Sequence, residues 1–128
     1  MIKNLAGAKR YVDNIKKKLI TNPFADRDGL FSLRYLARAK DEENFRIIVK
    51  IMVTTIKTQK NFKLFRKEPL AFVESLCMME DNGEKEGYNA FQAGRGLKVK
   101  RLPIGKTQRF FQKLYGDYFF NRKGHNLL

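Results

Sequence analysis

Gly94-Arg95-Gly96-Leu97-Lys98-Val99-Lys100-Arg101 is the local sequence best suited to chemistry with a phosphate. Glycines on either side of Arg95 let backbone amides approach an anion closely, and Arg95, Lys98, Lys100 and Arg101 place four cations within seven residues. Lys106 and Arg109 follow shortly after, and Lys16, Lys17 and Lys18 form a second basic run near the other end. These residues are the candidate phosphate contacts. Gly105-Lys106-Thr107 ends like the phosphate loop of nucleoside triphosphatases, but that motif needs a glycine five residues before Gly105, where Lys100 stands.

Aromatic residues alternate with cations in two places, Phe62 to Lys67 and Arg109 to Tyr115. Exposed rings beside cations can stack on unpaired bases while the charges hold phosphates. The same rings at helical spacing fit a core stripe, which is the expectation for Phe110, Phe111, Leu114 and Tyr118.

Residues for catalysis are few. His125 is the single histidine, so neither a histidine pair nor a histidine metal cluster can form, and a frayed tail is expected around it. Cys77 falls on the apolar side of a helix and reads as core. Acidic pairs two residues apart, Asp26 with Asp28 or Glu84 with Glu86, could hold a divalent ion of the kind nucleases use, but such pairs are common in loops. The expectation is a protein without catalytic activity, cofactor or metal.

Charge decides among the remaining partners. The 128-residue chain has 27 Lys or Arg against 13 Asp or Glu, a formal charge of +14. Repulsion of that size opposes compaction, and salt screens it only beyond about 8 Å, so a polyanion is the natural partner. Residues 1–20 sum to +5, 21–60 to +3, 61–93 to −2 and 94–128 to +8, which concentrates the excess at both ends. Nucleic acid fits best because each neutralised phosphate releases counterions. No apolar run approaches the roughly 20 residues that span a bilayer, the first residues lack a signal-peptide pattern, and a single cysteine excludes an internal disulfide framework. The expected location is intracellular, cytoplasmic or nucleoid-associated, without membrane insertion.

The elements that must position these residues read as helices. Leu5, Ala8, Val12, Ile15 and Leu19 recur at spacings of three and four, predicting a first helix that ends at Asn22-Pro23. Asp28 is the expected N-cap of a second helix that runs to Lys40 with Arg34 and Arg38 on an exposed side, and Asp41 that of a third, which carries Phe45, Ile48, Val49, Met52, Val53 and Ile56. Pro69 opens a fourth helix with Phe72, Val73, Leu76 and Cys77 inside. A flexible acidic loop is expected at 80–87 and a basic extended segment near 94–102. Thr107 is the expected N-cap of the last helix and Gly124 its C-cap. The fold expectation is one small all-α or mostly α domain of about five helices over 1–128.

Gln92-Ala93-Gly94-Arg95, downstream of Thr54-Thr55, is faintly similar to the small helical subunits of RNA-guided effector complexes. The similarity covers six residues and carries no residue role with it. The expected function is non-catalytic contact with an RNA phosphate backbone within a ribonucleoprotein assembly, RNA being favoured over DNA and other proteins of that assembly being further partners. The alternatives are a phage or plasmid DNA-binding regulatory or packaging protein, and an adaptor for an acidic protein surface.

Overall fold

Apolar spacing and side-chain caps fix where the helices form. In a computed structural model, residues 2–82 and 104–127 are described, with side chains up to Gly116. Among them are five α-helices, α1 Leu5–Lys16, α2 Asp28–Arg38, α3 Glu42–Thr58, α4 Pro69–Asn82 and α5 Lys106–Leu127, plus a short 3-10 segment at Lys60–Phe65 and no strand. Asn4 caps α1 by accepting from the Gly7 amide at 2.9 Å, and Asp41 caps α3 through the Asn44 amide at 3.2 Å. The β-branched run from Ile47 to Ile56 is helical, as its spacing predicts.

Helix α2 is the hub, packing against each of the other four α-helices. Small residues make that possible: Gly29, Ser32 and Ala37 are buried on it beside Leu33 and Leu36. A Cβ on Gly29 would stand 2.3 Å from the Pro23 carbonyl oxygen, so the close approach of this turn requires glycine. Around α2 the core contains Val12, Phe45, Ile48, Met52, Ile56, Val73 and Phe111, all fully buried. Phe45 and Phe110 meet edge to face at 5.0 Å and tie α3 to α5.

Two helices end on lysine where glycine is usual. Lys18 has φ 62° and Lys40 φ 55°. After α1, the amides of Lys18 and Leu19 donate to the carbonyls of Ile15 and Asn14; after α2, those of Lys40 and Asp41 donate to Ala37 and Leu36. Both are Schellman closures with a left-handed residue that costs a non-glycine about 1 kcal/mol.

Several boundaries differ from the sequence expectation. Helix α1 stops at Lys16 rather than at Asn22, because the turn at Lys18 closes it, and Leu19 is left 72% exposed. Cations at a helix C-terminus favour that ending. Asp28 is not an N-cap; it is the first residue of α2, and its carboxylate accepts from the Ile2 amide at 3.2 Å. Helix α5 passes through Gly124 and His125, since an isolated glycine weakens a helix by about 1 kcal/mol without ending it. Glu80, Asp81 and Asn82, expected to open a loop, are the last residues of α4. Residues 83–87 and the basic segment expected at 94–102 lie outside the described residues.

Glu80 and Asp81 turn out to be structural. Glu80 is buried with one carboxylate oxygen 3.1 Å from Arg34 Nε, a close ion pair bent away from hydrogen-bond alignment, and the other 3.9 Å from Arg27. The Arg34 guanidinium also stacks at 4.9 Å over Tyr35 and 5.2 Å over Phe31. Burial pushes the Glu80 pKa up despite Arg34 and Arg27. Asp81 reaches across to α5, its two oxygens each accepting at 2.9 Å from the amides of Thr107 and Gln108. A Cβ on Gly105 would fall 2.3 to 2.5 Å from this carboxylate. Thr107 is therefore not the cap of α5: Asp81 supplies the acceptor from another helix, and the buried Thr107 hydroxyl has no hydrogen-bond partner among the described residues.

Asp81→Ala should cost about 1–2 kcal/mol as a lost N-cap, and Gly105→Ala a comparable amount by displacing the same carboxylate. Urea unfolding of the double variant should show a loss smaller than the sum of the singles, since both remove one interaction; an additive result would contradict a shared cap.

A second expectation concerns pH. With its folded pKa above the unfolded value, Glu80 holds a proton more readily in the folded chain. Its contribution is present below the ordinary carboxylate value of 4.5 and is lost as pH rises through the raised folded value. Wild type should therefore gain stability relative to Glu80→Gln as pH falls from 7 toward that ordinary value, whereas a wild type that loses ground would mean the arginines outweigh burial.

Candidate nucleic-acid interface

Helix periodicity puts Lys106, Arg109 and Lys113 on one side of α5, three and four residues apart. The Asp81 cap holds the first turn of α5 beside the end of α2, where Arg38 closes the helix and Lys40 takes the left-handed turn. Between them lies an open groove of about 480 Å³. Its walls are Arg38, Lys40, Lys106, Arg109 and Lys113, and Ala37 and Phe110 contribute its apolar floor. All five cations are exposed, and among the described residues no acid lines the groove. The two carboxylates that end α4 are already used: Asp81 on the two amides of α5, Glu80 on Arg34 and Arg27. Five cations on one concave surface, with no lining acid among the described residues, repel one another, a repulsion that a bound polyanion would relieve.

Of the phosphate contacts expected from sequence, the structure brings Lys106 and Arg109 together here. Arg95, Lys98, Lys100 and Arg101 lie outside the described residues. Lys16, Lys17 and Lys18 are exposed at the end of α1, but Lys17 lines a different cleft, of about 380 Å³, together with Arg10, Asp13, Asp26 and Asp28. Its charges are mixed, and it shares no residue with the groove. Two of its acids are engaged locally, Asp26 accepting from the Asp28 amide at 2.8 Å and Asp28 from Ile2. Burial, then Asp26 and Asp28, push the Tyr11 hydroxyl in the same cleft well above its ordinary pKa.

Arg38, Lys40 and Lys113 are groove residues that sequence reasoning did not single out. The signal was partial: Arg34 and Arg38 stand four apart on α2, but only Arg38 faces the groove, because Arg34 is committed to Glu80. Nothing in sequence places Lys40 opposite α5, since that depends on the turn after α2.

Other chemistry finds little support in the arrangement. The amides that would make Gly105-Lys106-Thr107 a phosphate cradle are occupied by Asp81. Cys77 is fully buried, and burial, with Asp81, Glu74 and Glu80 adding to it, pushes its thiol pKa well up. Among the described residues no three His, Cys, Asp or Glu are grouped to hold a metal ion, and no helix is long and apolar enough to cross a membrane. Of the interleaved aromatics, Phe62, Phe110 and Phe111 are core, while Phe65 is 39% exposed. Comparison with protein-family models, curated proteins and solved structures gives no match.

Lys40 offers a test that separates stability from binding. Lys40→Gly removes the left-handed penalty and should stabilise the fold by up to about 1 kcal/mol while weakening polyanion binding. Lys18→Gly should stabilise similarly with a smaller effect on binding. Thermal melts paired with affinity for a labelled oligonucleotide check both, and a Lys40→Gly variant that binds as well as wild type would place Lys40 outside the contact.

Proposed function

We propose that the protein binds the phosphate backbone of nucleic acid without catalysing a reaction on it, RNA being the preferred form and a ribonucleoprotein assembly its setting. The observation that carries this reading is the α2/α5 groove, in which Arg38, Lys40, Lys106, Arg109 and Lys113 converge with no lining acid among the described residues. Phosphate contact of this kind positions a strand without reading its sequence. The preference for RNA is supported by aromatic surface exposed beside cations, which suits unpaired bases better than a closed duplex.

Binding should follow counterion release. Affinity for a single-stranded RNA and for a duplex DNA, measured by fluorescence anisotropy across a salt series, should fall linearly in logarithmic plots. Each phosphate contact contributes about 0.7 to the slope for a single strand, so Lys106→Gln, Arg109→Gln and Lys113→Gln combined should flatten it by about 2. Lys16→Gln, Lys17→Gln and Lys18→Gln combined should flatten it less. Salt-independent binding, or a groove variant that binds like wild type, would overturn the reading. Tighter binding to the duplex would move it to a DNA-binding protein.

A further inference from the structure

Away from the groove, the 3-10 segment presents a different surface. Leu64 is 90% exposed and Phe65 39%, whereas the neighbouring Phe62 is buried. Phe65 is the outermost ring of an aromatic cluster: its centroid lies 4.3 Å from Phe72, which lies 5.8 Å from Phe62 and 6.1 Å from Phe24. Phe24 and Phe62 are 4.7 Å apart and complete the anchor. One side of the Phe65 ring is thus pinned against the core side of the cluster while the remainder meets solvent. Lys60, Lys63, Arg66 and Lys67 flank it in sequence, all exposed, and Glu68 is the single acid in residues 57–68. Arg66 is held in place by donating from Nη2 to the Gln59 carbonyl at 3.2 Å.

We infer that this segment is a second contact, for unpaired bases of a single-stranded nucleic acid, with Phe65 as the stacking platform, Leu64 as its apolar edge, and Lys63, Arg66 and Lys67 on the flanking phosphates. The inference rests on the nucleic-acid reading of the groove and adds the residues that would select unpaired bases. A ring already fixed in place loses little conformational freedom when a base stacks on it. Duplex bases are stacked on each other and would first have to be separated. A protein partner needs about 1,000 Å² of buried surface in total, which two apolar side chains in a basic stretch do not provide. A bilayer would take Leu64, but the Phe65 ring is packed at 4.3 Å against Phe72 and has only part of its surface to offer.

The chain has no tryptophan, so Phe65→Trp introduces a single reporter in the full-length protein. Single-stranded oligouridylate and oligodeoxythymidylate of about 12 nucleotides should quench it strongly on binding, and a duplex of equal length, heparin and phosphatidylserine vesicles should not. Phe65→Leu, which keeps apolar volume but removes the ring, should lower single-strand affinity roughly 5-fold or more and leave duplex affinity within about 2-fold, with an unchanged urea midpoint showing that the fold is intact. Equal quenching by heparin or duplex, or a blue shift with vesicles alone, would overturn the inference. So would tight single-strand binding that leaves the indole of the Phe65→Trp variant unquenched, in which case loss of that binding in the groove variant would leave the proposed function standing. If wild type binds no strand at all, both fail.

Discussion

A single carboxylate at the end of α4 determines where α5 begins. Asp81 accepts from two first-turn amides of the next helix that have no partner within it, and leaves room only for glycine at position 105. The favourable field at a helix N-terminus, which elsewhere recruits a phosphate, is here satisfied from within the chain. Glu74 extends the same contact, accepting from the Gln112 amide group at 2.9 Å. With α5 held against α4 in this register, Lys106, Arg109 and Lys113 face the end of α2. Without it their spacing would still define a helix face, but not a groove.

The opposite wall depends on a different constraint. Helix α2 is contacted by every other α-helix described, so its small residues and the buried Glu80–Arg34 pair leave little freedom in where it ends. The closing turn places Lys40 in a conformation that glycine would adopt more readily. A lysine there lowers stability and adds a cation to the groove wall. Lys18 shows the same device beside a cleft of mixed charge, so the backbone alone does not identify the site; the groove is distinguished by having no acid among the described residues of its walls.

Much of the fold was legible in the sequence because helical spacing is a local property. Ala8, Val12 and Ile15, or Phe45, Ile48, Met52 and Ile56, announce a buried stripe, and Asp41 announces its cap. Ends set by distant partners were not legible. Asp81 looks like part of a polar loop until α5 is placed opposite it, and Asp28 resembles a cap until Ile2 is seen donating to it. The site was half legible for the same reason. Lys106 and Arg109 stand out by charge density, while Arg38 and Lys40 lie 66 or more positions before Lys106 and join them only through the packing of α2 on α5.

The α2/α5 groove, and not the basic end of α1, is the proposed main contact for a phosphate backbone. Amide shifts of ¹⁵N-labelled protein during titration with single-stranded RNA test this most directly. Between these two basic regions, shifts should concentrate at Ala37–Lys40 and Lys106–Lys113, with smaller ones at Arg10–Lys18. Shifts confined to Arg10–Lys18, or uniform across exposed lysines, would contradict it.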